Sequence, residues 1–137
     1  MTNQKIKVQA LVGKDPKTVW IYYTQPEHIT AWNFATDHWH CPRAENDLQI
    51  GGKYFARMEA KDGSSGFDFE AIYSEVTRGK HFTYEFGGRV ATVTFEPVGQ
   101  HTRITVLFDA ETEHPAKMQQ QGWQAILNNF KKYAEAH

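Results

Sequence analysis

A chain of 137 residues fits a single domain, because most domains hold about 100–150 residues. Fifteen Lys and Arg residues against sixteen Asp and Glu residues give a formal net charge of −1, which argues against a nucleic-acid-binding protein. The single cysteine excludes an internal disulfide, and no stretch approaches the ~18 apolar residues of a membrane span.

The N-terminal region predicts a strand followed by two short helices. Its first residues hold no apolar stretch of the kind a signal peptide needs, so we expect a cytoplasmic protein. Apolar and polar residues alternate over 6–10, which is typical of a strand with one buried face. Asp15 and Pro16 favour a helix start, and Pro26 ends or bends that helix before a second one that runs to Trp32.

The middle of the chain predicts an antiparallel meander with one buried face. Residues 33–47 are polar and irregular and include Pro42, so we expect a loop there, and Gly51-Gly52 signals a bend or bulge beside a strand. From residue 54 onwards apolar residues recur at every second position. Four turn signals divide this stretch: Asp62-Gly63-Ser64-Ser65-Gly66, Arg78-Gly79-Lys80, Gly87-Gly88 and Pro97-Val98-Gly99-Gln100.

The apolar period changes to 3.6 after Glu113-His114-Pro115, which predicts a helix of about 20 residues over 115–135. Its apolar stripe holds Met118, Gly122, Trp123, Ile126, Leu127 and Phe130. One amphipathic helix beside a meander must cover the apolar face of the sheet. The sequence therefore predicts an α+β fold in one domain, 1–137, with a curved antiparallel sheet of six or seven strands around a long C-terminal helix.

Asp37-His38-Trp39-His40-Cys41 is the segment with the most suggestive chemistry, since zinc accepts His and Cys ligands. Structural zinc sites usually need a second ligand pair, and the chain has no other cysteine. His40 and Cys41 would also point to opposite sides of an extended segment, which argues against a catalytic pair. We predict no metal, no cofactor and no catalytic residue here.

The aromatic fraction of 14% suits either a plain core or the walls of a ligand cavity. Gly122 costs a helix interior about 1 kcal/mol relative to alanine, which indicates either space kept for a ligand or close approach to a sheet residue. Tyr54, Tyr73 and Tyr84 could orient a ligand, as could the indole N–H of Trp123. By the strand pattern four charged residues point outward: Arg57, Asp68, Glu70 and Glu85. Phe55 and Leu107 on the outer face could mark a dimer contact, so both a monomer and a homodimer stay open.

The chain resembles the helix-grip domains of the START/Bet v 1-like (SRPBCC) superfamily, in the branch named after the activator of Hsp90 ATPase (AHSA1-like). The matching features run in family order: Val19-Trp20, Thr24, Pro26, Trp32, Gly51-Gly52, Met58, Asp62-Gly63, Phe67-Asp68-Phe69-Glu70, Glu75-Val76 and Gly122-Trp123-Gln124-Ala125-Ile126-Leu127. Two positions depart from the pattern. Gln49 replaces a frequent arginine, which removes a cation near the expected cavity mouth, and Ala71 replaces a frequent glycine.

The resemblance implies a cavity between sheet and helix that holds lipids, sterols, polyketides or other apolar molecules. We therefore expect a binder of a small apolar molecule. The alternatives are a module that interacts with the chaperone Hsp90 or with another protein, and a cyclase or hydrolase that uses the cavity. The residues expected to touch the ligand are Trp32, Phe34, Trp39, Tyr54, Met58, Phe69, Tyr84, Phe86, Phe95, Trp123, Ile126 and Leu127.

Overall fold

Seven antiparallel strands form one curled sheet in the computed structural model, which describes residues 4–137. In chain order the elements are β1 (Lys5–Val12), α1 (Pro16–Thr24), α2 (Pro26–Trp32), β2 (Trp39–Asn46), β3 (Lys53–Ala60), β4 (Gly66–Thr77), β5 (His81–Phe86), β6 (Arg89–Val98), β7 (His101–Asp109) and α3 (Ala116–Ala136). The strand order β1-β7-β6-β5-β4-β3-β2 makes β2 to β7 a meander and places β1 beside β7. The predicted α+β architecture is confirmed. Residues 1–3, which belong to the N-terminal stretch expected to lack a signal peptide, lie outside the described residues.

The two short helices begin where the sequence predicts. The Asp15 carboxylate accepts a hydrogen bond from the backbone N–H of Thr18 at 3.2 Å, and Pro16 occupies the first turn of α1. Pro26 likewise opens α2, so the chain turns between the two helices without a loop. Both helices bury one side, including Trp20 and Trp32, against the concave face of the sheet.

The prediction of a loop over 33–47 is wrong for its second half, which forms strand β2. Its pairing with β3 shifts register between His40 and Arg43, and this irregularity contains Pro42. Proline donates no ladder hydrogen bond and is tolerated at bulges and on edge strands, and β2 is an edge strand. Because several of its residues are polar and half-exposed, β2 shows no clean apolar alternation.

Phe55 departs from the expectation of an exposed outer-face residue. Its side chain is only 6% exposed, since the guanidinium of Arg43 lies 4.8 Å from the centre of its ring. Leu107, by contrast, is 40% exposed, as expected. Phe55 therefore offers no open apolar surface for a dimer contact.

Helix α3 is fixed along the free edge of β1 by its polar side chains. Gln124 accepts a hydrogen bond from the Gln9 N–H at 3.3 Å and donates one to the Gln9 carbonyl at 2.9 Å. Lys131 donates to the Leu11 carbonyl at 2.7 Å, and Glu135 accepts from the Gly13 N–H at 2.8 Å. These contacts satisfy backbone groups that an edge strand would otherwise leave unpaired, and they set how far α3 stands from the sheet.

The apolar stripe of α3 covers less of the sheet than its periodicity predicts. Leu127 and Phe130 are buried, whereas Met118 in the first turn is 55% exposed. A β-carbon placed on Gly122 meets no atom within 4 Å. Close approach to a sheet residue is therefore not the reason for this glycine, and the position has open space.

Gly122→Ala is expected to stabilise the protein by about 0.5–1 kcal/mol, because alanine removes the entropic cost of a helical glycine without a clash. Gly63→Ala is the matched control, since its β-carbon also meets nothing but its backbone φ is +79°. That variant should lose about 1 kcal/mol. Urea denaturation of both measures the difference, and a destabilised Gly122→Ala would contradict the open space at this position.

None of the helices within residues 4–137 combines the length and the apolar character that a membrane crossing requires.

Candidate functional site

A cavity of about 300 Å³ lies between the concave face of the sheet and α3. This volume is at the lower end of the range of about 300–1,000 Å³ that is typical of small-molecule sites. Its lining comprises Tyr23, Trp32, Asn33, Tyr54, Met58, Phe67, Phe69, Tyr84, Phe86, Arg89, Val106, Trp123, Ile126 and Leu127. Most of the surface is aromatic or aliphatic, with few polar groups.

The aromatic wall is built by inward-facing residues of β4 and β5 against one indole of α3. Phe69 packs against Phe86 with ring centres 5.1 Å apart, and Phe86 lies 6.0 Å from Trp123. Trp123 in turn stacks on Phe108 at 3.9 Å and 9°. Because Phe108 is fully buried on β7, this stack fixes the indole against the sheet and makes it a rigid part of the wall.

Three tyrosines place their side chains in the cavity lining: Tyr23 from α1, Tyr54 from β3 and Tyr84 from β5. The Tyr54 hydroxyl accepts a hydrogen bond from the Asn33 amide at 3.3 Å. Among the described residues, the hydroxyls of Tyr23 and Tyr84 have no hydrogen-bond partner, and the Tyr54 hydroxyl hydrogen donates to none. Neither the Tyr23 nor the Tyr84 hydroxyl is a fully enclosed atom, so each is open to the cavity and can donate to a molecule there.

Burial raises the pKa of Tyr23, Tyr54 and Tyr84 above the ordinary value, and the neighbouring phenols raise the pKa of Tyr23 and Tyr54 further. The rings of Tyr54 and Tyr84 lie edge to face with their centres 5.5 Å apart, and all three tyrosines line the same cavity. All three are therefore neutral hydrogen-bond donors at physiological pH. Tyr73 differs, because its hydroxyl donates to the Asn46 side chain at 2.7 Å and does not line the cavity.

Arg89 begins β6 directly after the Gly87-Gly88 turn and also lines the cavity. Its Nε donates to the Asp109 carbonyl at 3.0 Å, and its guanidinium lies 4.9 Å from the ring centre of Phe86. Phe67, another lining residue, is 51% exposed, so the cavity reaches the protein surface near this end of the sheet. We call the part of the lining formed by Phe67 and Arg89 the cavity mouth.

Nine of the residues that the sequence predicts to touch a ligand line this cavity. They are Trp32, Tyr54, Met58, Phe69, Tyr84, Phe86, Trp123, Ile126 and Leu127. The other three lie elsewhere. Phe95 is in the core under α1, 5.1 Å from the Trp20 ring, because α1 and not α3 covers that part of the sheet. Phe34 follows α2. Trp39 begins β2, where its ring centre lies 6.1 Å from that of the lining residue Phe67.

Five lining residues escape the sequence prediction: Tyr23, Asn33, Phe67, Arg89 and Val106. Tyr23 and Val106 do follow the apolar periods of their elements, which could have identified them. Asn33 and Arg89 follow a helix end and a turn, where no period operates. Gln49, which stands where the family often has arginine, is exposed and donates a hydrogen bond to the Asp47 carboxylate at 3.1 Å. It lies outside the lining, so its lack of charge does not affect the cavity. The cation at the cavity mouth is Arg89.

The segment with two histidines and a cysteine does not form a ligand cluster. Cys41 is buried, its thiol contacts the Arg43 carbonyl at 3.5 Å, and burial raises its pKa to about 11. His40 lies 3.7 Å from the Glu59 carboxylate at the surface. Within residues 4–137, the grouping with metal-ligand spacing is Glu111, Glu113 and His114, which is largely exposed and in which His114 bonds to Glu111.

A curled antiparallel sheet closed by one long helix around a cavity defines a helix-grip protein of the START/Bet v 1 type. The chain belongs to the family described as Activator of Hsp90 ATPase homolog 1-like protein, whose family model matches residues 15–135. No functionally curated protein matches the chain.

Solved structures agree with this assignment. An AHSA1-like protein from Aeromonas hydrophila is 38% identical, with a TM-score of 0.92 over 97% of this chain and 93% of that chain. A protein from Cytophaga hutchinsonii is 43% identical, with a TM-score of 0.83 over 96% and 92%. A protein from Nitrosomonas europaea shares the fold at 18% identity, with a TM-score of 0.82 over 96% and 94%.

Proposed function

We propose that this protein binds a small, largely apolar molecule that carries a hydrogen-bond-accepting oxygen, such as a carbonyl, in the cavity between the sheet and α3. The observation that carries the proposal is the pair of tyrosine residues, Tyr23 and Tyr84, that line an aromatic cavity. Within residues 4–137, neither hydroxyl has a hydrogen-bond partner. The aromatic walls would bury the apolar body, and the hydroxyls would donate to its oxygen.

The chemistry of the lining supports binding over catalysis. The described residues that line the cavity include no carboxylate, imidazole or thiol that could act as a general base. The tyrosines keep their protons at neutral pH because burial raises the pKa of each. A cyclase or hydrolase acting in this cavity, a chaperone-binding role, a cytoplasmic location and the oligomeric state remain predictions from the sequence.

A pair of matched ligands tests the proposal: the methyl ketone of naphthalene and ethylnaphthalene, which differ by the carbonyl oxygen. Both should raise the unfolding free energy as RT ln(1+[L]/Kd), about 2.7 kcal/mol at a free concentration of 100 Kd. We expect the ketone to bind more tightly. Thermal unfolding and quenching of tryptophan fluorescence, to which Trp32 and Trp123 of the lining contribute, measure the two affinities. Saturable binding of neither ligand, nor of fatty acids or sterols, would contradict the proposal.

Tyr84→Phe is expected to weaken binding of the ketone by about threefold to tenfold, the effect of one neutral hydrogen bond, and to leave ethylnaphthalene binding within about twofold. Because the Tyr84 hydroxyl has no protein partner, the variant should be at least as stable as the wild type. Tyr22→Phe is the matched control, since Tyr22 packs against His28 and Tyr133 outside the cavity. Equal weakening of both ligands by Tyr84→Phe would show that the hydroxyl does not recognise the carbonyl.

A further inference from the structure

The guanidinium of Arg89 is held in a fixed position at the cavity mouth. Its Nε is used by the hydrogen bond to the Asp109 carbonyl, and its plane is supported by the Phe86 ring. Neither contact uses the two terminal NH₂ groups, and within residues 4–137 no side-chain carboxylate lies within ion-pair distance of Arg89. The Arg89 guanidinium is thus a planar group in a fixed orientation with unused N–H donors, and this geometry matches the two oxygens of a carboxylate.

The acidic residues near Arg89 are engaged elsewhere. The Asp109 side chain accepts a hydrogen bond from the Val90 N–H at 2.9 Å and forms an ion pair with Lys5. Burial alone would raise the pKa of Glu111, but hydrogen bonds from both the backbone and the ring of His114, together with the more distant charge of Arg89, lower it. Glu111 is therefore held by His114, and it forms no side-chain ion pair with the guanidinium of Arg89.

We propose that Arg89 binds the carboxylate of the ligand, so that the molecule is an apolar monocarboxylic acid whose body lies in the cavity with its acid group at the mouth. This inference rests on the proposed function, and it specifies the chemical class of the ligand. A single cation beside aromatic walls balances one negative charge, which favours a carboxylate over a doubly charged phosphate monoester. The order of groups along the cavity then predicts an acid at one end and an accepting oxygen near the tyrosines.

Four naphthalenes substituted at the same ring carbon provide the test: the carboxylate, the hydroxymethyl alcohol, the aminomethyl amine and the phosphate monoester. Calorimetry at neutral pH should give the carboxylate an affinity about 10–100-fold higher than that of the alcohol, the range expected for hydrogen bonds to a charged group. The amine should bind more weakly than the alcohol, because Arg89 repels it.

Arg89→Met should remove the preference for the carboxylate and change the affinity for the alcohol by less than about threefold. Arg103→Met is the control, because it removes the same charge from an exposed arginine that pairs with Glu96 on the outer face. It should keep the preference. Arg89→Lys should retain part of it, since an ammonium keeps the charge but not the fork. Circular dichroism of each variant verifies folding.

Each remaining outcome contradicts the inference in a distinguishable way. Equal affinity of the wild type for acid and alcohol, or a preference that persists in Arg89→Met, would overturn the role of Arg89 and leave the apolar-ligand proposal standing. Tighter binding of the phosphate than of the carboxylate would overturn the assignment to a carboxylic acid. Binding of none of the four compounds, together with none of the ligands above, would overturn both proposals.

Discussion

Phe130→Ala is expected to lower the free energy of unfolding by about 3–5 kcal/mol, the usual cost of removing a fully buried phenylalanine. Phe130 is 0% exposed, and its ring contacts Trp32 and Tyr23, each at 4.9 Å in an edge-to-face arrangement. The side chain therefore joins α3 to α1 and α2 at the closed end of the cavity. Urea denaturation monitored by tryptophan fluorescence measures the loss.

Met118→Ala on the same helix is the control for this prediction. The two residues belong to one apolar stripe in the sequence, but Met118 is 55% exposed. We expect its replacement to change stability by no more than about 0.5 kcal/mol. Comparable losses in the two variants would contradict the packing of α3 described above. A loss of ligand affinity in Phe130→Ala without a loss of stability would contradict it as well.

The sequence predicts the helix-grip fold through two changes of period. Alternation at every second residue defines the strands from β3 to β7, and the stripe at 3.6 residues defines α3. The sequence does not predict strand β2, because this strand lies at the edge of the sheet, contains Pro42 and needs no continuous apolar face. A period reports burial of one face, so an edge strand with little burial has no period to detect.

The prediction of cavity residues follows the same logic and fails at the same kind of place. Tyr54, Phe69 and Tyr84 were identifiable because alternation assigns them to the concave face. Phe95 belongs to that face too, but α1 covers it, and alternation within a strand does not tell which helix packs above it. Arg89 follows a turn, so only the tertiary structure brings it to the cavity.

The first turn of α3 shows how a polar residue can replace an apolar one in a buried position. The apolar stripe predicts Met118 as the buried residue, whereas the structure buries Gln119. The Gln119 side chain accepts from the Glu111 N–H at 2.9 Å and donates to the carbonyls of Glu111 at 3.1 Å and His114 at 2.8 Å. One amide thus satisfies three main-chain groups of the segment that connects β7 to α3.

Gln119→Leu is expected to lower the free energy of unfolding by about 2–3 kcal/mol, because it keeps the side-chain volume but leaves these main-chain groups without partners. Gln120→Leu is the neighbouring control, since Gln120 is exposed and makes a single hydrogen bond of 3.4 Å to the Lys7 carbonyl. It should cost no more than about 0.5 kcal/mol.

Amide hydrogen exchange separates this specific effect from general loosening of the helix. In Gln119→Leu the Glu111 N–H should exchange much faster, whereas amides in the middle of α3 should accelerate only as far as the lower global stability requires. Unchanged protection of the Glu111 amide would contradict the role of Gln119. Glu111 lies two residues after Asp109, which ends β7 and whose carbonyl accepts the hydrogen bond from Arg89 at the start of β6. A loosened segment should therefore also weaken binding of the naphthalene carboxylate more than binding of its alcohol.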